Sequence, residues 1–243
     1  MDLKKEAARV AFSLVENNSS LGLGDGSAVL NLAAYLVDGI RRGQRLKLYT
    51  SSFKTQQFLL ESGITILDIS WADSLDQYFD GCDQVDKQLN ALKSGSGIHT
   101  QEKLLASMAK HFFILADESK FISVFDPKFP LVLEVLPQAL VFVMKELKRI
   151  CVHAELTVRK SVNDGNIFQI TRNGNNLIDC IFPKWPDPGF IQSQTRSIAG
   201  VVEISLFYKI ADEAIIAGKN CVSRYQRKND QVNKIGEYPL ELL

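Results

Sequence analysis

The sequence lacks most of the features that mark a specialised class of protein. Its 243 residues hold four cysteines (Cys82, Cys151, Cys180, Cys221), widely scattered and without a CxxC pair, and three histidines (His99, His111, His153). That spacing offers neither a zinc site nor a disulfide framework, so no metal is expected and the expected compartment is the reducing cytoplasm. Surplus charge is missing as well, since 28 Lys+Arg balance 28 Asp+Glu. Nucleic acid and anionic membranes demand an excess of cations, so neither is an expected partner. The longest clean apolar runs, such as Ala139–Met144 and Phe112–Ala116, fall far short of the roughly 20 residues of a spanning helix. The opening MDLKKEAARV has no apolar stretch, so no secretory signal is expected. No internal repeat stands out. What is present is a 46% hydrophobic fraction, enough for one sizeable core or two smaller ones.

The first part alternates helix and strand. Leu3, Ala7, Val10, Ala11 and Leu14 recur at helical spacing and predict a helix over 3–17. SLGLGDGS reads as a short strand entering a glycine turn. Val29, Leu32, Ala33, Leu36, Val37 and Ile40 then form a helical stripe from about Ser27 to Arg41. Strand Leu46–Thr50, helix Thr55–Ser62 and strand Ile64–Ile69 follow. Short connections in a βαβαβ order argue for a parallel sheet with helices on its faces, with ligands in the loops beyond the carboxyl ends of the strands. A strand ending near Asp80, a short one near Gln88–Leu92, a helix capped by Thr100 and a buried strand Phe112–Ala116 continue the pattern.

From about Pro127 the pattern changes. Strand Leu131–Leu136, a helix opened by Pro137, strands Glu155–Lys160, Ile167–Thr171 and Leu177–Phe182 with turns at NDGN and RNGN, and a helix near Phe190–Arg196 suggest a small antiparallel α+β domain. The expected fold class is α/β: a doubly wound, mostly parallel, Rossmann-like sheet over 1–126 and 201–243, with an inserted domain over 127–200. Val201–Leu206 and Glu213–Ala217 are expected to return as strands to the first domain. The polar tail from Gln226 is expected to be loosely held.

Taken one at a time, the candidate site residues leave alternatives open. Gly22, Gly24 and Gly26 before Ser27 fit an anion cradle at a helix N-terminus, or an ordinary turn. No Gly-Lys-Ser/Thr follows, and the glycine spacing is not a dinucleotide fingerprint. Asp80, Asp83 and Asp86 could hold a metal, work as acid and base, or solvate a loop; the pattern of a calcium loop is absent. Lys93 lies among glycine turns, and Glu102 falls in the first turn of a predicted helix, where any carboxylate is favoured.

In combination these pieces are more specific. DGCDQVD, LKSGSGIHTQEKLLASMA, FFILADESKF and FPLVLEVLPQA, preceded by GLGDGSA and TSSFKT, resemble the ribose-5-phosphate isomerase type A family in order and spacing, from Leu3 to about Gly218. The resemblance implies a doubly wound domain with a ferredoxin-like insert. It implies a cofactor-independent interconversion of ribose 5-phosphate and ribulose 5-phosphate, a step of the pentose phosphate pathway, and it implies a homodimer. Glu102 then stands at the family's base, with Asp80, Asp83 and Lys93 completing the catalytic set. Substrate contacts fall on Lys4, Asp25, Gly26, Ser27, Ala28, Gly81, Cys82, Ser94, Gly95, Ser96 and Lys120. The residue types suit the chemistry. A carboxylate can take the C2 proton and return it at C1, an ammonium can stabilise the cis-enediolate, and cations with backbone N–H groups can hold the phosphate.

The departures from the family lie inside this set. Asp25 stands where the family has Thr or Ser, and Ala28 where it has Thr. Gln84 replaces a glutamate, Ser94 and Ser96 replace glycines, and Gln101 replaces an arginine. A carboxylate at a helix N-terminus can occupy the N–H groups a phosphate needs, so Asp25 is expected to fill or repel the cradle. A charge pair 4 Å apart at an effective dielectric near 20 is worth about 4 kcal/mol. Three readings follow: a diverged ribose-5-phosphate isomerase, an isomerase of another sugar or sugar phosphate, and a non-catalytic sugar-sensing protein on the same fold. The intact acid/base set opposes the third, and the altered cradle opposes the first.

Overall fold

The structure, a computed structural model, describes residues 2–162 and 164–241. The chain divides into two compact units, a larger one of residues up to Asn90, Gln101–Ile122 and those from Lys209 onward, and a smaller one of Ala91–Thr100 and Ser123–Tyr208.

The chain opens with α1 (Leu3–Ser13), whose free N–H groups at Lys4 and Lys5 are accepted by the Asp2 carboxylate. It continues through β1 (Ser19–Leu23), α2 (Ser27–Arg41), β2 (Leu46–Thr50) and α3 (Phe53–Glu61). The stripe predicted on α2 is its buried face, from Val29 to Val37. No strand forms over 64–69. Ile66 makes one bridge to Leu48, and Asp68 then caps a 3-10 turn at Ile69–Trp71. This segment flanks the edge strand β2, and Leu67 and Trp71 are exposed, so nothing buries a strand there.

Next come β3 (Leu75–Asp80), β4 (Gln84–Asp86) and β5 (Ala91–Leu92). Of the strand expected near Gln88–Leu92 only Ala91–Leu92 forms; the residues before it are held in a turn by Asp86, whose carboxylate accepts N–H groups from Gln88 and Asn90 and the Asn90 amide. Leu89 turns through φ 55° to complete that bend. After α4 (His99–Met108), β6 (Ala109–Asp117) and β7 (Phe121–Ile122), the chain forms β8 (Leu131–Val135), α5 (Leu140–Ile150), β9 (Glu155–Val158), β10 (Asn176–Ile181), α6 (Pro188–Arg196), β11 (Val201–Ile204) and β12 (Leu206–Phe207). Only isolated bridges, Lys160 to Phe168 and Ile170 to Asn176, occupy the expected strand at Ile167–Thr171. Its Ile167, Phe168 and Ile170 are all exposed, so neither face is buried. The NDGN turn begins at Asn163, which lies outside the described residues.

The last elements are β13 (Glu213–Ala217), β14 (Cys221–Lys228) and β15 (Gln231–Pro239). Two expectations are corrected here. The segment 201–206 does not return to the larger unit: β11 pairs with β8 and buries Ile204 in the smaller one. As far as Pro239 the tail is not loose either, and residues 242–243 lie outside the described residues. β14 and β15 form a hairpin paired from Cys221 with Pro239 to Lys228 with Gln231, turning through Asn229 and Asp230 at positive φ. A polar strand can sit at a sheet edge because only one of its faces needs burial.

The larger unit holds a seven-stranded sheet in the order β15-β14-β13-β6-β3-β1-β2. It is parallel from β13 to β2, and the hairpin joins antiparallel. Its core joins α1 and α2 to the sheet through Ala8, Leu21, Leu32, Phe79, Leu115 and Ile215. The smaller unit holds an antiparallel sheet in the order β11-β8-β10-β9.

At the start of β3, Asp76 accepts the Lys110 ammonium at 2.8 Å and the N–H and hydroxyl of Ser20. The Lys110 bond, then those from Ser20, hold its carboxyl at about 2, below the usual range. A folded-state value below the unfolded one stabilises the fold at neutral pH, and this contribution fades as pH falls from about 4 through about 2. Both partners are partly exposed, with Asp76 39% and Lys110 64% accessible. The pair is therefore worth about 1 kcal/mol. Asp76→Asn is expected to lower urea stability by that amount at pH 7, with the gap to the native chain closing below about pH 4.

Candidate active site

The order of the large sheet reverses at β1. The chain lays β2 on one side of β1 and then crosses to place β3, β6 and β13 on the other. At such a point the loops leaving two neighbouring strands part, and a crevice opens beyond their carboxyl ends. Here the two loops are Gly24–Gly26 after β1 and Gly81–Asp83 after β3.

A buried carboxylate joins them. Asp80 is fully inaccessible and accepts the Tyr78 hydroxyl at 2.6 Å, the Gly81 N–H at 2.7 Å and the Asp25 N–H at 3.1 Å. It lies so close to the opposite loop that a Cβ on Gly24 would stand 2.0 Å from its Cγ. Glycine is required at position 24 for this approach. Tyr78 is fully buried, and burial lifts its hydroxyl well above the usual value of 10; the charges of Asp80 and Glu102 lift it further, against a hydrogen bond to Ser51. It therefore stays protonated and donates to Asp80. Glu102, in the first turn of α4, is itself fully buried.

The start of α3 secures the first loop from the other side. The Thr55 hydroxyl donates to the Gly24 carbonyl at 2.9 Å. Ser52 caps α3 by accepting the Thr55 N–H at 3.2 Å, and its hydroxyl donates to the Asp25 carboxylate. Asp25 therefore does not fill the N-terminus of α2. That helix starts at Ser27, its N-cap position is Gly26 at φ 109°, and no side chain caps it. Gly26 and Ser27 are exposed at this end, while Ala28 is buried.

Lys120 closes a 3-10 turn after β6, and its ammonium donates to the Cys82 carbonyl at 2.6 Å. Its hold on the loop after β3 is thus direct. Cys82 is buried, and Gly81 and Asp83 are half-buried. The structure therefore gathers Gly24, Asp25, Tyr78, Asp80, Gly81, Cys82 and Lys120 through direct bonds, with Glu102 acting on Tyr78. Lys4 stands apart from this network. It is exposed in the first turn of α1, and no described hydrogen bond or ion pair joins its ammonium to the loops.

Lys93, Ser94, Gly95 and Ser96 belong to the smaller unit. Lys93 is buried with its ammonium 5.9 Å from the Phe207 ring centroid, and its N–H donates to the Ser205 carbonyl. The Ser94 hydroxyl donates to the Pro130 carbonyl. Arg159, paired with Asp179 at 2.6 Å, donates to the carbonyls of Ser94 at 2.8 Å and Gly95 at 3.0 Å. Gly95 and Ser96 face solvent. In the same unit, Glu134 is fully buried and accepts side chains of Thr100, Thr171, Asn173 and Asn175. Burial alone would raise its carboxyl, but these four bonds outweigh it and hold the group below the usual range. Among the described residues, no cluster of three or more His, Cys, Asp or Glu is arranged to hold a metal.

Reading the sequence missed Tyr78, Ser52, Thr55, Arg159 and Glu134. Tyr78 had a signal, since residues two apart on a strand share a face and Asp80 follows it at that distance. Arg159 had none, because its partners lie 20 and 64 or 65 residues away.

A family model described as ribose 5-phosphate isomerase A (phosphoriboisomerase A) matches residues 47–221. Ribose-5-phosphate isomerase A of Pyrococcus abyssi is 35% identical over 229 residues, 93% of this chain and 98% of that protein. The corresponding Synechococcus protein is 32% identical and covers 88% and 92%. Among solved structures, a D-ribose-5-phosphate isomerase in complex with phospho-erythronic acid superposes with a TM-score of 0.86 at 31% identity, covering 93% of this chain and 100% of that one. The ribose 5-phosphate isomerase A of Methanocaldococcus jannaschii gives 0.85 at 30%, covering 93% and 99%.

Gly24→Ala places a methyl group where the Asp80 carboxylate stands. It is expected to lower unfolding stability by about 1–3 kcal/mol or more in urea titrations. Gly165→Ala, where a Cβ meets nothing within 4 Å, is the control and is expected to stay within about 0.5 kcal/mol of the native chain.

Proposed function

The chain belongs to the ribose 5-phosphate isomerase A family, and we propose that it interconverts ribose 5-phosphate and ribulose 5-phosphate by proton transfer at Glu102 through a cis-enediolate. The observation that carries this reading is the burial of the Glu102 carboxylate, close enough for its charge to act on Tyr78 of β3. A carboxylate removed from water costs free energy, and active sites are where such groups collect.

The steps follow from that placement. On the open-chain aldose, Glu102 takes the C2 proton, the C2 electron pair forms a double bond to C1, and O1 becomes an oxyanion. The enediol proton then leaves O2, O1 is protonated, and Glu102 returns its proton to C1. The product is the 2-ketose, with no net gain or loss of protons. Lys93 is assigned to stabilise the oxyanion on the strength of its motif. Both oxygens of Asp80 are already engaged by donors, which supports a positioning role for Asp80 and leaves Asp83 to move protons among the sugar oxygens. We assign the phosphate to the uncapped start of α2, where backbone N–H groups and the helix dipole favour an anion, with Lys4 and Lys120 as its cations on the strength of the family resemblance. That remote grip orients C1 and C2 against the base.

The smaller unit is read as the ferredoxin-like insert. Its order β8, α5, β9, β10, α6, β11, with β11 and β8 adjacent and β10 between β8 and β9, supports that reading. A cytoplasmic homodimer is proposed as well, from the resemblance and from the four free thiols.

A coupled assay against pentose phosphates and free pentoses tests the activity. Turnover of ribose 5-phosphate is the expected result; turnover of a different sugar alone would move the assignment to that substrate. Glu102→Gln is expected to retain the fold by circular dichroism while kcat falls by about 10²–10⁴ with little change in KM. Near-native turnover in that variant would remove Glu102 from the role of base. Exhaustive chelation is expected to leave turnover unchanged, whereas loss restored by one added metal would assign a cation to the Asp80–Asp86 segment.

A further inference from the structure

Asp25 precedes the start of α2, where the proposed function puts the phosphate, and its hydrogen bonds fix where it goes. Its N–H is committed to Asp80 and its carboxylate to the Ser52 hydroxyl. Ser52 is in turn held by capping α3, and Thr55 holds the neighbouring Gly24 carbonyl. With its carboxylate on Ser52, Asp25 makes no side-chain hydrogen bond to the start of α2. The turn therefore presents two opposed features side by side: the start of α2, with Gly26 at its N-cap and no side-chain cap, and a tethered negative charge at Asp25. The helix end attracts any anion, and the carboxylate repels it in proportion to the anion's charge.

We propose that Asp25 is a specificity-determining residue that makes the phosphate end of this site discriminate by charge, weakening the binding of a dianionic terminal group relative to a less charged or neutral one. The proposal rests on the isomerase reading above for the location of the phosphate. It predicts that the penalty falls on binding of the remote group, and hence chiefly on KM, because Asp25 makes no contact with the base and its carboxylate faces the start of α3.

The test compares the native chain with Asp25→Asn, which keeps the size of the side chain and an oxygen for Ser52 but removes the charge. KM for ribose 5-phosphate and the inhibition constant of phospho-erythronic acid are measured together, alongside the inhibition constant of erythronic acid, which lacks the phosphate. Asp25→Asn is expected to lower the first two by about tenfold, with a smaller change in kcat, and to leave the third unchanged. Raising the salt from 0.05 to 0.5 M is expected to shrink the difference between the two proteins, as screening requires. Equal constants in both proteins, or an equal shift for erythronic acid, would overturn the proposal. If neither protein turns over ribose 5-phosphate, the isomerase reading fails, while calorimetric binding of phospho-erythronic and erythronic acids still decides the role of Asp25 by the same criterion.

Discussion

The buried carboxylate of Asp80 is the constraint on which the rest of the site depends. It sits at the point where the large sheet changes direction, and it takes hydrogen bonds from both loops that border the crevice, Asp25 N–H on one side and Gly81 N–H on the other. The Tyr78 hydroxyl from its own strand donates to it as well. These donors stabilise the buried carboxylate, and removing any of them would leave part of its charge uncompensated in a low-dielectric interior. This explains the absence of a side chain at Gly24, and it adds to the burial that keeps Tyr78 protonated. It also explains why two loops from distant parts of the sequence keep a fixed relation while their outer residues stay open to solvent.

The fold was legible wherever pattern and burial coincide. α2 could be read because Val29, Leu32, Ala33, Leu36 and Val37 all turn to one core. The parallel strands could be read because they are buried on both faces, as at Glu213–Ala217. Failures came where apolar residues are not buried, as at Ile167–Thr171, and where a side chain reshapes the backbone, as Asp86 does. The C-terminal hairpin was missed for the opposite reason. Its sequence is polar, and a strand at a sheet edge needs few apolar residues once a turn such as Asn229–Asp230 and an ion pair such as Arg224–Glu213 hold it.

The candidate site was legible as a set of motifs and illegible as a network. Glu102, Asp80 and Lys93 could be singled out because they recur in recognisable local strings. The bonds that position those strings run between residues far apart in sequence, such as Arg159 to the Ser94 carbonyl and Thr55 to the Gly24 carbonyl. Asp25 shows the difference most clearly. Its position before a helix suggests a cap, and only the placement of Ser52 reveals that its carboxylate belongs to the neighbouring helix instead.

The hairpin of β14 and β15 also bears on the behaviour of the chain as a material. β13 is buried along its whole length, with Ala214, Ile215, Ile216 and Ala217 all inaccessible or nearly so, and the hairpin covers the side that β6 does not. The outermost strand carries Lys234 and Glu237, charges that oppose the docking of another strand. A chain cut between β13 and β14 would present an uncovered apolar edge with unpaired backbone groups, a template for intermolecular sheet growth. Premature termination or nicking at this turn would thus yield aggregated rather than merely inactive protein, and the hairpin of β14 and β15 acts as a safeguard of solubility as well as a part of the fold.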